Sequence, residues 1–133
     1  MSEVVLEFRD VNFSYNETAN VQNLNVKIEK GDFIAITGSN GAGKSTFSKL
    51  CNGLLQPSTG DVLVVGNNTK SVKVSDLAKH IGFLFQNPDR QICCQTVADE
   101  IAFSLKNNGI AEEEVRQRVE RTIQEFGFDG SSI

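Results

Sequence analysis

The chain has 133 residues, 39% of them hydrophobic and 23% charged, with a formal net charge of -4. That length fits one domain with a buried core and the composition excludes disordered and fibrous classes, while the acidic balance argues against broad charge-driven binding to nucleic acid or anionic lipid and leaves room for a compact anion site. Cys51, Cys93 and Cys94 show neither CxxC nor Cys/His ligand spacing, which excludes a disulfide framework and a zinc site and fits a reducing cytosol; no apolar run reaches the roughly 20 residues that span a bilayer, so membrane association is expected to go through a partner.

Residues 4–15 alternate apolar and polar around Val5, Phe8, Val11 and Phe13, the period of a half-buried strand, and residues 21–28 repeat the pattern. Gly31 and Asp32 then turn the chain into Phe33, Ile34, Ala35, Ile36 and Thr37, a continuous apolar run that predicts a strand buried on both faces. After a glycine-rich loop, residues 45–52 place Phe47, Leu50 and Cys51 on one helical face, and Gly53 stands where a helix would end. Residues 57–61 are turn chemistry; they precede a strand predicted over 62–65, a turn at Gly66, Asn67 and Asn68, and a further short strand over 81–85.

Thr96 with Asp99 and Glu100 marks a helix start, Ile101, Ala102 and Leu105 give that helix its apolar stripe, and Asn107, Asn108 and Gly109 stop it. In a second helix, predicted over 111–126, Val115, Val119, Ile123 and Phe126 recur at helical spacing. Glu112 with Arg116 and Glu114 with Arg118 are spaced there to pair, and Gly127 ends the helix. Strands interleaved with helices predict an α/β class with an antiparallel N-terminal portion.

Gly38, Ser39, Asn40, Gly41, Ala42, Gly43, Lys44 and Ser45 match G-x-x-x-x-G-K-[ST] in full, between a predicted strand and a predicted helix. Glycines and small residues let consecutive backbone N–H groups converge on phosphate oxygens where a side chain would block the approach. Lys44 supplies a mobile charge for the β- and γ-phosphates, Ser45 can place its hydroxyl on Mg2+, Thr46 can add a second hydroxyl, and the helix beginning there turns its positive end to the anion. A flexible glycine turn with an incidental lysine is the alternative, and the agreement of strand, spacing and helix argues against it. The expected ligands are ATP and Mg2+.

Around this loop the chain resembles an ABC-transporter nucleotide-binding subunit, most closely the energy-coupling-factor ATPases that drive uptake of vitamins or of cobalt and nickel. The resemblance covers nearly the whole chain. Its carriers are Val11-Asn12-Phe13-Ser14-Tyr15, the loop at 38–46, the stretch at 52–60 opening Asn52-Gly53-Leu54-Leu55, the run at 81–91 that contains Phe85-Gln86-Asn87-Pro88, and Thr96-Val97-Ala98-Asp99-Glu100-Ile101-Ala102-Phe103. It implies a P-loop NTPase fold, with an antiparallel N-terminal β portion and a RecA-like core. By the same resemblance Tyr15 stacks on adenine, with Phe13 as the fallback and otherwise a core residue, and Gln86 contacts magnesium or the attacking water.

Residues 86–91 would line the groove that receives a coupling helix of a transmembrane subunit, a second ABC ATPase subunit would complete the motor, and the whole would sit peripherally on the cytoplasmic face of the cell membrane. His80, the only histidine, lies well before the place of the family's switch histidine and is expected to face solvent or cap; Cys93 and Cys94 are expected to pack rather than react. The family's acidic strand, the glutamate beside it, the switch histidine and the serine-glycine signature are not found in these 133 residues. The chain therefore looks like the truncated N-terminal portion of one such domain, expected to keep part of the family sheet, to rearrange, or to pair its edges with another chain. The function implied is the ATP-binding subunit of an importer of a metal ion or vitamin, with hydrolysis requiring the full-length subunit. The alternatives are a noncatalytic nucleotide-binding fragment and a soluble ABC protein of DNA repair or translation; the second would be favoured by long insertions after Gln86, which this sequence does not show.

Overall fold

A computed structural model describes residues 3–39, 43–84 and 88–128. The chain divides into two compact units, residues 1–83 and 84–133.

In the first unit, β1 (Val4–Tyr15) and β2 (Thr18–Glu29) form an antiparallel hairpin, and β3 (Thr59–Val64) and β4 (Asn67–Asn68) extend it in the order β2-β1-β3-β4. The hairpin turns on Asn16 and Glu17, both at positive φ (42° and 70°), the twist that a two-residue connection between right-twisted strands requires. The second hairpin does the same with Val65 and Gly66 at 48° and 78°. This corrects the turn expected at 66–68: Asn67 and Asn68 pair as a strand with Val64 and Leu63, and Val65 leaves its predicted strand.

Phe8 and Val11 stand three apart, so strict alternation would put them on opposite faces, yet they are 1% and 0% exposed. A register shift between them, with Asp10 at φ 48°, inserts the extra residue that returns Val11 to the core face. Asn25 fixes this bulge twice, accepting the Asp10 N–H and donating to the Asp10 carboxylate, each at 3.0 Å. Against this face packs α1 (Lys44–Cys51), whose Leu50 joins Phe8, Val11, Phe13 and Val62 in the core. The Phe47 ring stacks on Phe8 at 4.8 Å. Each such fully buried side chain stabilises by about 1.5–3 kcal/mol, so the sheet holds the helix that follows the glycine loop.

Two predicted strands do not form among the described residues. Residues 33–37 have no regular structure, and Phe33, Ile34 and Ile36 are 97%, 51% and 47% exposed. Residues 81–84 are likewise irregular, with Leu84 78% exposed, and Phe85 lies outside the described residues. An apolar run becomes a buried strand only where neighbouring strands take up its N–H and C=O groups, and neither run is a member of the described sheet. The described residues therefore carry the antiparallel sheet and helices, and the two further strands expected of the core are not formed among them. The short helix α2 (Val74–Leu77), which buries Leu77, was not anticipated by the sequence pattern.

The second unit holds a 3-10 turn at Pro88–Arg90 and two helices, α3 (Val97–Asn107) and α4 (Glu112–Glu125). Thr96 caps α3 as its sequence predicts, accepting the Asp99 N–H on its hydroxyl at 3.1 Å. Ala102, Val115, Val119 and Ile123 form the core of this unit. Phe126, expected in the α4 stripe, is 73% exposed, because the helix ends at Glu125 and Gly127 at φ 72° turns the chain away. Arg116 pairs with Glu113 at 2.7 Å rather than with Glu112, whereas the Glu114–Arg118 pair forms as spaced. His80 is exposed; of the two adjacent cysteines Cys94 is half-buried, but Cys93 is exposed rather than packed. Among the described residues no helix is long and apolar enough to cross a membrane.

Candidate phosphate-binding site

The glycine loop enters α1 through Gly43, which sits in the left-handed region at φ 96°. A Cβ there would lie 2.8 Å from the main-chain oxygen of Asn20 in β2, so only glycine lets the loop pass this close to the sheet and turn directly into a helix. Gly43 offers no side-chain cap, and the first turn of α1 contains no acidic residue. A helix start without a protein cap keeps N–H donors and a positive dipole end for an anion from outside. Lys44, the first residue of α1, reaches back across the loop and donates through Nζ to the carbonyl of Gly38. The lysine charge thus sits at the first residue of the motif.

Ser45 is exposed and Thr46 is buried at 7%, so Ser45 carries the accessible hydroxyl of this turn. Gly38 and Ser39 are exposed, while Asn40, Gly41 and Ala42 lie outside the described residues, as does Gln86. A glycine without room for Cβ, an uncapped helix start and a lysine with its head on a loop carbonyl fit a polyphosphate; the serine hydroxyl is a hard oxygen donor suited to Mg2+.

The structure also explains how Tyr15, far from the loop in sequence, comes near it. Tyr15 is 44% exposed, its ring meets that of Phe13 edge-on at 4.7 Å, and its N–H donates to Asn20 Oδ1 at 3.1 Å. Asn20 is the same residue whose carbonyl lies against Gly43. One residue therefore ties the end of β1 to the end of the phosphate loop, its side chain holding one and its backbone touching the other. Asn20 carries no motif, and sequence reasoning missed it; an amide-bearing residue just past a two-residue hairpin turn was the only signal. Phe13, at 8% exposure, is the core residue expected of it. A cleft of about 520 Å³ adjoins the loop, walled by Val21, Leu24, Val26, Ile34 and Ile36 and reaching Gly43 and Lys44. Tyr15 does not line it, so a base stacked on Tyr15 would lie outside that cleft.

The family model described as ABC transporter matches residues 21–132. The chain is 40% identical over 126 residues to the energy-coupling factor transporter ATP-binding protein EcfA1 of Oceanobacillus iheyensis, covering 93% of this chain and 45% of that protein. It is also 40% identical over 129 residues to EcfA of Methanocaldococcus jannaschii, covering 95% and 46%. The solved structure of cbiO1 from Clostridium perfringens, part of the ABC transporter complex cbiONQ, superposes with a TM-score of 0.83 at 30% identity, over 98% of this chain and 53% of that one. An ATP-binding cassette solved as a dimer in a post-hydrolysis state with ADP and Pi shares the fold, with a TM-score of 0.74 at 24% identity over 96% of this chain and 59% of that one. The chain spans about half the length of these relatives. With a glycine loop leading into α1 through Gly43, and a family match running from β2 to nearly the last residue, the chain belongs to the ABC transporter family of ATP-binding proteins.

Proposed function

We propose that this chain carries the nucleotide cradle of the energy-coupling subunit of an uptake transporter of the energy-coupling-factor type, in which ATP binding and hydrolysis drive import of a metal ion or vitamin. The observation that carries the reading is the junction at Gly43: a helix start without a cap, a lysine laid over the loop, and Asn20 linking both to Tyr15. On binding, Lys44 would exchange the Gly38 carbonyl for phosphate oxygens, Ser45 and Gln86 would hold Mg2+, and the Tyr15 ring would stack on adenine. Magnesium, when bound, supplies positive charge that offsets the charge on the β- and γ-phosphates.

Gln86 also orients the attacking water. The segment 86–91, with Asp89 and Arg90 exposed, meets a transmembrane subunit, and a second ABC ATPase subunit completes the motor on the cytoplasmic face of the membrane. The names of the two energy-coupling relatives and the cbiONQ complex support this reading.

Calorimetry with ATP and Mg2+ tests it. Wild-type chain is expected to bind saturably, and Lys44→Ala to bind about 10- to 100-fold more weakly, the loss of one hydrogen bond to a charged group at about 1.5–3 kcal/mol. No binding by the wild-type chain would overturn the proposal. For the base, Tyr15→Ala is expected to weaken binding about tenfold while Tyr15→Phe keeps it, since stacking uses the ring face and is worth about 1–3 kcal/mol. Equal losses in both variants would assign the effect to the hydroxyl and remove the stacking role.

A further inference from the structure

Cys93 and Cys94 are adjacent thiols that the phosphate site does not use. Their main-chain N–H groups both donate to one carboxylate oxygen, Glu100 Oε2, at 3.0 and 2.8 Å. Glu100 stands in the first turn of α3, just past the cap Thr96, so the acidic start of the helix folds back over the residues that lead into it. The sulfurs are held as donors too. The Cys93 thiol lies 3.2 Å from the Gln91 carbonyl, and burial, followed by the charge of Glu100 and a hydrogen bond to it, pushes the Cys94 thiol up from its ordinary range. Thiolate, not thiol, is the nucleophile, so the Cys94 sulfur is kept in the less reactive form. Access is not the barrier: Cys93 is exposed, and the pair opens on a hollow of about 420 Å³ that Asp99, Phe103 and Lys106 also line.

We propose that Cys93 and Cys94 form a latent thiol-modification site for small soft electrophiles such as activated alkenes, with Glu100 as its latch. In the reaction the sulfur lone pair forms an S–C bond to one alkene carbon, the π pair takes a proton from water at the other, and the thiol proton passes to solvent. The net change is addition of S–H across the double bond, without an oxidant. Release of Glu100 frees both amides and removes the negative charge that opposes a thiolate, while Lys106 in the same hollow favours one. The turn follows directly on residues 88–91, so a partner displacing that segment would open the latch; this last link rests on the proposed function, whereas the latch itself is tested with neither partner nor nucleotide.

The test is N-ethylmaleimide labelling of the full chain across pH, read by mass spectrometry, in wild type, Glu100→Ala and Glu100→Gln. Cys93→Ser and Cys94→Ser assign the labelled sulfur, and Cys51, whose thiol burial pushes up to about 12, is the slow internal standard. Glu100→Ala is expected to label Cys94 about tenfold faster at neutral pH, because more of the thiol is then thiolate, and to lose hydrogen-exchange protection at the amides of Cys93 and Cys94. Glu100→Gln removes the charge but keeps an acceptor, so the labelling midpoint falls while the amides stay protected. Unchanged rates and midpoints in both variants overturn the latch. So does faster labelling in Glu100→Ala that comes with lost protection throughout α4 while Glu100→Gln behaves as wild type, because that is unfolding.

Discussion

Replacing Gly60 with alanine is expected to destabilise the first unit by about 2–5 kcal/mol. Gly60 sits at φ 85°, where an L side chain costs about 1–2 kcal/mol. Its Cβ would also lie 2.3 Å from the Asp10 oxygen and 2.5 Å from the Arg9 oxygen. Both are backbone atoms of β1 at the bulge, so relief requires moving the β1–β3 ladder, at the roughly 1–3 kcal/mol typical of overpacking. For a unit of this size the melting temperature should fall by about 8 °C or more, measured by circular dichroism. Gly66→Ala is the control, since it sits at a similar φ of 78° with nothing within 4 Å of its Cβ, and it should cost only the conformational part. Equal losses in the two variants would show that the close approach to Asp10 carries no energy.

Gly43→Ala is expected to abolish most nucleotide affinity at a smaller cost in stability. The alanine Cβ meets the Asn20 oxygen at 2.8 Å, so either the loop or the start of β2 must give. If the loop gives, the amides at the start of α1 move off the phosphate oxygens. Losing two hydrogen bonds to charged oxygens, each about 1.5–3 kcal/mol, predicts binding weaker by about 100-fold or more. Calorimetry with ATP and Mg2+ and a thermal melt on the same sample separate the two costs. Wild-type affinity in Gly43→Ala would mean that the approach to β2 does not shape the cradle.

These two glycines differ in how legible they were. Gly43 stands in a motif whose spacing encodes a loop and a helix start within eight residues, and local chemistry suffices to read it. Gly60 looks like ordinary turn punctuation. Its importance arises only once the bulge at Asp10 swings a carbonyl towards it, and that bulge exists because Phe8 and Val11 must share one face. The Thr96 cap was readable for the same local reason as Gly43, whereas the return of Glu100 to the amides of Cys93 and Cys94 was not, since several carboxylates near a helix start satisfy the same sequence pattern.

What the sequence alone determined was whatever depends on neighbours along the chain: the glycine loop and the helix start at Lys44 and Ser45, the existence of β1 and β2, and the starts and stops of α3 and α4. Tertiary structure decided whatever depends on residues that meet only after folding. It tied Tyr15 to Gly43 through Asn20, set the register shift at Asp10 that fixes the core, and left residues 33–37 without a partner strand among the described residues despite their strand-like run. The physical reason is that helix starts and glycine loops satisfy their hydrogen bonds within a few residues, whereas a strand exists only when a partner elsewhere in the chain accepts and donates to it.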